Sequence, residues 1–376
     1  MQYHDMFSTR PGSAPVEGEV RIPSGCAIAG VFHKKGGTIG GDMIIRAMEP
    51  MHDRSNGLGG GFAGYGIYPE FADCYAFHLF YDSEDARDRC EHYIKRFFDV
   101  ASMSVMPVRK SRVVTDAPII WRYFVQPKPW RCSEEALDER AFTARHVLEV
   151  NSTIPGAFIF SSGKNMGVFK GVGFPEDMGR YFRLEEYEAT CWTAHGRYPT
   201  NTPGWWGGAH PFALLDTTVV HNGEISSYDA NRRCMEMYGY NCNLLTDTEV
   251  IAYMFDYLVR RQGLSWQEAA NVVAAPFWST IDHLDEEEKA RMTFLRKRFS
   301  SMLITGPFSI LVGFEGGMMA LNDRLKLRSM VVGETEDIAY VASEECAIRR
   351  ICQEPMELWS PRGGQPVIFT LEGGRA

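Results

Sequence analysis

Short apolar runs alternate with helical patterns along this chain, and together they predict a mixed α/β protein. Several runs have apolar residues on both faces, which is typical of strands that are covered on both faces. The runs that predict strands are 27–32, 75–80, 157–160, 190–194, 217–221, 308–314, 338–342 and 367–371. Strands of this kind, mixed with helices, fit two sheets that lie between helical layers.

Helical periodicity is clear in three segments, where apolar residues recur every three or four positions. The segments are 86–97, 250–259 and 292–302. A fourth helix is expected after Asp42, whose side chain is placed to cap it. Repeated prolines interrupt residues 105–183, and nothing in that stretch predicts a catalytic site.

Composition narrows the function classes. The 376 residues are 45% hydrophobic, which is enough for the core of one large domain. A net charge of -9 argues against a nucleic-acid partner, because phosphate binding needs clustered Lys and Arg. The 9 cysteines include no C-x-x-C, so their spacing predicts neither a zinc site nor an iron-sulfur cluster. Their odd number and the absence of a secretory signal favour the cytoplasm, and no apolar run predicts a membrane span.

The candidate chemistry lies in three polar clusters, at 195–202, 221–224 and 246–249, together with Cys26. A cysteine that attacks an amide needs an oxyanion site and, for an amino-acid substrate, groups that hold the ammonium and the carboxylate. Arg197 and Asp247 fit the two charges, and Asn222 with Gly223 fits the oxyanion site. These parts suffice to hydrolyse the side-chain amide of glutamine.

The catalytic base is harder to find, because no Cys-His-Asp arrangement is evident from spacing. If the chain is cut between Gly25 and Cys26, the new α-amino group lies beside the thiol. Its ordinary pKa, roughly 7.7 to 8.0, suits a base near neutral pH. Residues 1–25 are therefore interpreted as a propeptide or a flexible arm.

Each cluster also has a plainer interpretation. Thr246 and Glu249 have the spacing of a helix capping box, Asn222–Gly223 is typical of a tight turn, and Cys26 alone resembles a buried strand cysteine. Residues 59–64 fit G-x-G-x-x-G, but a strand-like segment at 65–68 follows where a dinucleotide site requires a helix. No metal is predicted, since the spacing of the histidines in this region matches no usual ligand pattern: His195, His210 and His221.

Seven motifs in order resemble the class II glutamine amidotransferase domain, an N-terminal-nucleophile hydrolase, and most of all the glutaminase part of glutamate synthase. They are Cys-Ala-Ile-Ala-Gly-Val-Phe at 26–32, Arg-Tyr-Pro-Thr-Asn-Thr at 197–202, Ala-His-Pro-Phe at 209–212, His-Asn-Gly-Glu-Ile at 221–225, Thr-Asp-Thr-Glu at 246–249, Gly-Pro-Phe-Ser at 306–309 and Val-Ala-Ser-Glu-Glu at 341–345.

The resemblance implies an α+β fold, a four-layer αββα sandwich, over residues 26–376. It implies that Cys26 is the nucleophile, that Arg197 binds the glutamine carboxylate and Asp247 its ammonium, and that Asn222 and the Gly223 amide form the oxyanion hole. It also assigns substrate-site positions to three further residues: Arg54, Thr200 and His210. The chain departs from the family at Ala27, where glycine is usual, and in having 25 residues before the nucleophile.

The resemblance further implies a glutaminase subunit that feeds ammonia to a separate synthase subunit of a split glutamate synthase. Because the resemblance uses the chain to its end, the ammonia acceptor is expected on the partner. Flavin and an iron-sulfur cluster are expected there too, with no cofactor in this chain. Two alternatives stay open: a stand-alone cysteine hydrolase of another amide, and an unprocessed regulatory subunit without catalysis.

Overall fold

The computed structural model describes residues 25–198, 204–353 and 357–371. Its strands are β1 (Ala27–His33), β2 (Ile39–Gly40), β3 (Gly60–Tyr65), β4 (Tyr75–Tyr81), β5 (Phe98–Val105), β6 (Ile119–Pro127), β7 (Ala157–Ser161), β8 (Met166–Gly171), β9 (Glu188–Ala189), β10 (Cys191–Gly196), β11 (Phe212–Leu214), β12 (Thr217–Gly223), β13 (Phe308–Phe314), β14 (Gly317–Asn322), β15 (Val331–Glu334), β16 (Ile338–Ala342), β17 (Glu357–Trp359) and β18 (Val367–Thr370).

The helices are α1 (Gly41–Met48), α2 (Glu84–Phe97), α3 (Pro129–Glu135), α4 (Glu139–Thr153), α5 (Pro175–Tyr181), α6 (Tyr228–Met237), α7 (Asp247–Phe255), α8 (Trp266–Val273), α9 (Trp278–Ile281), α10 (Glu286–Arg298) and α11 (Glu345–Ile351). Helix α7 continues into a π-helical segment, Asp256–Arg261. No helix in these described ranges is long and apolar enough to cross a membrane.

Two antiparallel sheets form the centre of the molecule. The first has 7 strands in the order β17-β15-β16-β1-β10-β3-β8, and the second has 5 in the order β11-β12-β13-β14-β18. Strands β1 and β10 pack against β12 and β13. Helices α1, α5 and α11 cover the outer face of the first sheet, and α7 covers β11 and β12 of the second. This confirms the predicted α+β, four-layer αββα sandwich.

A third sheet closes one side of the sandwich, and two of its strands, β6 and β7, lie in the proline-interrupted stretch 105–183. Its order is β5-β6-β4-β7, with β4 against β8 and β7 against β11, the edge strands of the two main sheets. Helices α2 and α4 pack on it. The Ser83 side chain accepts a hydrogen bond from the Ala86 amide, which fixes the start of α2.

Three local predictions are wrong. Helix α1 begins at Gly41, so Asp42 lies in its first turn and Gly40 occupies the cap position. A strand was expected at 65–68, after the glycine run. The strand in the structure is β3, which includes the glycine run and ends at Tyr65. Glycines fit there because the first sheet is covered tightly on both faces: a Cβ on Gly61 would lie 2.2 Å from the His210 carbonyl oxygen.

The capping box expected at the start of α7 is the third error. Thr246 occupies the cap position, but its side chain accepts no hydrogen bond there. Glu249 instead accepts hydrogen bonds from the Leu244 amide, at 2.9 Å, and from the Tyr253 hydroxyl, at 3.2 Å. A complete capping box, with Ser265 and Glu268, begins α8.

Candidate active site

Cys26 immediately precedes β1, at the edge of the sandwich where β10, β12 and β16 end. Its thiol is partly buried, and the Tyr198 amide donates to the sulfur at 3.4 Å. The Arg54 Nε donates to the Cys26 carbonyl oxygen at 3.0 Å, and the same guanidinium pairs with Glu344 at 2.6 Å. The structure therefore places Arg54 beside the nucleophile, where it binds the backbone of Cys26 and not the thiol.

The environment of the thiol opposes its ionisation. Burial raises the pKa of Cys26 above its ordinary value, and the charge of Asp247 raises it further. The Tyr198 amide and the positive charges of Arg197 and Arg328 lower it, but they do not outweigh burial. A thiol in this state needs a neighbouring base before it can attack an amide.

The predicted oxyanion pair lies at the end of β12, next to the nucleophile strand. The Asn222 Nδ2 donates to the Ser343 hydroxyl at 3.4 Å, and the Ile28 amide donates to the same oxygen at 3.1 Å. Gly223 has a φ of 150°, and a Cβ there would lie 2.1 Å from the Pro307 carbonyl oxygen. Only glycine fits this position. Both Asn222 and Gly223 belong to β12, so the interpretation of this pair as an ordinary tight turn is excluded.

Asp247 is the first residue of α7 and is held in its ionised form. The Ile225 amide and the Thr248 hydroxyl donate to its two oxygens, at 3.3 and 3.1 Å, and His221 Nδ1 lies 3.3 Å from Oδ1. Burial alone raises the pKa of Asp247, but His221 and these hydrogen bonds outweigh burial and leave it below the usual value.

Arg197 directly follows β10 and is only 4% exposed. Burial lowers the pKa of its guanidinium, while the negative charges of Asp247 and of the Cys26 thiolate, once it forms, act against that shift. The two predicted charged residues thus lie within electrostatic reach of each other and of the thiol. An amino-acid zwitterion carries charges of opposite sign that can pair with both.

His210 and His195 form a buried stack behind Asp247, with ring centres 3.9 Å apart. His210 Nε2 lies 3.3 Å from the Thr248 hydroxyl, and His195 Nε2 lies 2.9 Å from the His221 carbonyl oxygen. Burial lowers the pKa of His195 to about 3 and that of His210 well below its ordinary value, so both are neutral. Within the described ranges no group of His, Cys, Asp and Glu could hold a metal ion. The remaining predicted residue, Thr200, lies outside the described residues.

Sequence reasoning missed two buried residues whose charges interact, Lys170 of β8 and Glu249 of α7. The Lys170 ammonium donates to the Gly207 carbonyl oxygen at 3.0 Å and lies 4.3 Å from the centre of the Phe212 ring. Burial lowers the pKa of Lys170 to about 7 and raises that of Glu249 to about 7, with each charge moderating the other's shift. The one signal in the sequence is a lysine inside an otherwise apolar run.

Ser343 and Arg328 were missed as well. Ser343 belongs to a motif that carried the resemblance, but no role was assigned to it. Arg328 lies on the loop after β14, where only the folded structure shows that its charge reaches Cys26.

Comparison with known proteins identifies the family of this chain. The family "glutamine amidotransferases class-II" matches residues 73–357, a span that includes Arg197, Asn222 and Asp247. An uncharacterised protein of Archaeoglobus fulgidus is 48% identical over 92% of this chain and 92% of its own length. A Methanothermobacter thermautotrophicus protein, named as a candidate glutamine amidotransferase, is 25% identical over 87% of this chain and 93% of its own.

A longer relative shares only part of its length with this chain. The large chain of NADPH glutamate synthase from Bacillus subtilis is 23% identical over 79% of this chain, which corresponds to 21% of that protein. Since the family match covers most of the sequence, this chain belongs to the class II glutamine amidotransferases.

Proposed function

We propose that this chain hydrolyses glutamine to glutamate and ammonia with Cys26 as an N-terminal nucleophile. The observation that carries the proposal is the position of Arg197 and Asp247, whose opposite charges both act on the Cys26 thiol. This arrangement suits a substrate with one carboxylate and one ammonium group. It argues against an amide hydrolase whose substrate lacks them.

In the proposed reaction, the Cys26 sulfur attacks the carboxamide carbon of glutamine and the α-amino group of Cys26 takes the thiol proton. The negative oxygen of the tetrahedral intermediate is bound by Asn222 Nδ2 and the Gly223 amide. The intermediate collapses to a thioester as ammonia leaves with the proton from the α-amino group. Water then attacks the thioester, which releases glutamate and restores the thiol.

The proposal requires that the peptide bond between Gly25 and Cys26 be cut. An uncut chain has an amide nitrogen at Cys26, which is not basic and cannot take the thiol proton. The intact mass of active protein tests this point. We expect a chain that begins at Cys26, and full activity in chains that keep residue 1 would contradict it in favour of a different base. If the cut is autocatalytic, Cys26→Ala keeps residues 1–25.

We also propose that the ammonia is used by a separate synthase subunit of a split glutamate synthase in the cytoplasm. The similarity to one part of a glutamate synthase large chain supports this, since the rest of that chain would correspond to the partner. Flavin and an iron-sulfur cluster would belong to the partner, which would reduce the adduct of 2-oxoglutarate and ammonia.

Glutamate formation by the isolated chain, with and without candidate synthase subunits and 2-oxoglutarate, tests the partner. We expect a slow glutaminase alone and a faster one with the partner, because amidotransferases couple glutamine hydrolysis to acceptor binding. Amination of 2-oxoglutarate by the chain alone would contradict the split enzyme. A high rate that ignores the partner would favour a stand-alone hydrolase, and an uncut, inactive chain would favour a regulatory subunit.

A further inference from the structure

Three polar side chains form a row across the second sheet, on the face that meets the first sheet. In the strand register, Asn222 of β12 pairs with Ser309 of β13, and Ser309 pairs with Asn322 of β14. Paired residues of an antiparallel sheet point to the same face. Leu311, two positions along β13, packs in the core between the sheets, so the row faces that interior.

The row is closed to solvent and its hydrogen bonding is incomplete. Asn222, Ser309 and Asn322 are 1%, 0% and 0% exposed. The two amide nitrogens have partners, which are the Ser343 hydroxyl for Asn222 and the Arg328 carbonyl oxygen, at 3.0 Å, for Asn322. Asn222 Oδ1, Ser309 Oγ and Asn322 Oδ1 have none among the described residues.

Unpaired buried polar atoms are costly, at about 1 to 3 kcal/mol each, and protein interiors usually satisfy them with an ordered water. One water fits the chemistry of this row. It can accept a hydrogen bond from the Ser309 hydroxyl and donate to the two carboxamide oxygens on either side.

We propose that the row binds a buried water and that Ser309 and Asn322 act through it as positioning residues for Asn222. The inference rests on the proposed function, in which Asn222 Nδ2 binds the oxyanion. An asparagine amide can turn about its last side-chain bond, which exchanges its donor and its acceptor. A water that donates to Asn222 Oδ1 keeps this oxygen on the side of the row, so that Asn222 Nδ2 stays on the side of the Cys26 thiol.

Asn322 gives the row a second connection to the site. It fixes the backbone of Arg328, whose charge lowers the pKa of Cys26. The row therefore joins the oxyanion donor to the loop that carries this charge. Ser309 lies between them and touches neither substrate nor thiol in the proposed reaction, so its effect on the rate passes through its neighbours in the row, and the proposal assigns that effect to Asn222.

The test is a double-mutant cycle with Ser309→Ala and Asn222→Ala. We expect Ser309→Ala to lower kcat roughly tenfold, the effect of one lost hydrogen bond, and to leave KM within about twofold. In the Asn222→Ala background the same change should have no further effect on kcat. The matched control is Ser161→Ala, because Ser161 is 1% exposed and its hydroxyl accepts a hydrogen bond from the Val168 amide in the neighbouring strand β8. It should leave kcat unchanged.

An unchanged kcat in Ser309→Ala, or losses that multiply with those of Asn222→Ala, would overturn the positioning role. A crystal structure of the wild type, at a resolution that shows ordered water, gives a readout that needs no activity. We expect density for a water between Asn222 Oδ1 and Ser309 Oγ, and a dry row would overturn the inference even in an active enzyme. A wild type without glutaminase activity but with this water would count against the proposed function alone.

Discussion

Two asparagines, Asn151 on helix α4 and Asn222 in strand β12, show how a site differs from a scaffold. Asn151, at the third sheet, uses its whole amide on one residue: its Nδ2 donates to the Ile159 carbonyl oxygen at 2.9 Å and its Oδ1 accepts from the Ile159 amide at 2.7 Å. Asn222, at the edge of the main sheets, has one weak contact and an unpaired Oδ1. A fully used amide stabilises the fold, whereas one with spare capacity can serve a ligand or a transition state.

Histidines follow the same division. On helix α4, which packs on the third sheet, His146 has the Tyr93 hydroxyl on one nitrogen at 2.6 Å and Glu135 on the other at 3.2 Å. At the candidate site, His195 and His210 each keep one nitrogen without a partner in the described chain. These two histidines therefore keep spare hydrogen-bonding capacity, as Asn222 does.

The largest expected effect separates two cysteines. Cys26→Ala removes the proposed nucleophile and should lower glutaminase kcat by at least about a thousandfold. Cys346→Ala, at an exposed cysteine on α11, should leave kcat unchanged. Steady-state release of glutamate from glutamine checks both. Equal rates in Cys26→Ala and the wild type would remove this residue from the chemistry.

The next effect compares the two asparagines directly. Asn222→Ala should lower kcat about a hundredfold, because its donor acts on charge that develops in the transition state, and it should change stability little. Asn151→Ala should leave kcat unchanged and lower the free energy of unfolding by about 1 to 3 kcal/mol, since two backbone groups lose their partner. Kinetics and urea unfolding of both variants give the four values. The comparison fails if Asn151→Ala loses as much turnover as Asn222→Ala.

Substrate affinity should depend on the two charges near the thiol. Arg197→Ala or Asp247→Asn should raise the KM for glutamine about ten- to a hundredfold, because each loses one charge-assisted contact with the zwitterion. Asparagine at 247 can still accept the hydrogen bond from Ile225, so the turn before α7 is kept. A matched control is Arg350→Ala, since Arg350 is an exposed arginine paired only on the surface with Glu49. Unchanged KM in both site variants would place the substrate elsewhere.

The smallest effect concerns stability and the pair formed by Lys170 and Glu249. Lys170 has a pKa of about 7 in the folded chain and its ordinary 10.5 when unfolded, so burial of its charge costs stability below pH 7. That cost disappears as pH rises from 7 to 10.5. Lys170→Met should therefore be more stable than the wild type at pH 6, by about 1 to 3 kcal/mol, with the difference vanishing near pH 10.

Glu249 should show the opposite dependence. Its pKa is about 7 in the folded chain and 4.5 in the unfolded chain, so the free energy of unfolding falls as pH rises from 4.5 to 7. Glu249→Gln should gain stability relative to the wild type above pH 7 and none at pH 4. Denaturant unfolding across pH measures both variants. A difference that does not change with pH would show that folding shifts the pKa of neither group.

Much of the fold could be predicted from the sequence, because strands that are buried on both faces are apolar at most positions. The runs at 308–314 and 338–342 match β13 and β16 at both ends. The prediction failed for β3, whose glycines follow from close packing between layers, a property of the neighbours and not of the segment. Two strands of the third sheet, β4 and β7, match the runs at 75–80 and 157–160, whereas β5 and β6 were not predicted, because polar residues alternate along β5 and prolines flank β6.

The site was predictable where a motif carries the chemistry and not where the fold brings distant residues together. Arg197, Asn222 and Asp247 stand out as polar residues after apolar runs, and the structure brings them to the edge that holds Cys26. Lys170 and Arg328 have no local signature, since their roles come from burial and from contacts with residues far along the chain.

The most direct test of the central claim is covalent capture of the nucleophile. Active protein is treated with a glutamine-shaped diazoketone, which alkylates the thiol that attacks its carbonyl, and the modified peptide is identified by mass spectrometry. We predict a single adduct on Cys26, found in chains that begin at Cys26 and prevented by excess glutamine. An adduct on any of the other eight cysteines, or equal labelling of chains that keep residue 1, would contradict the account.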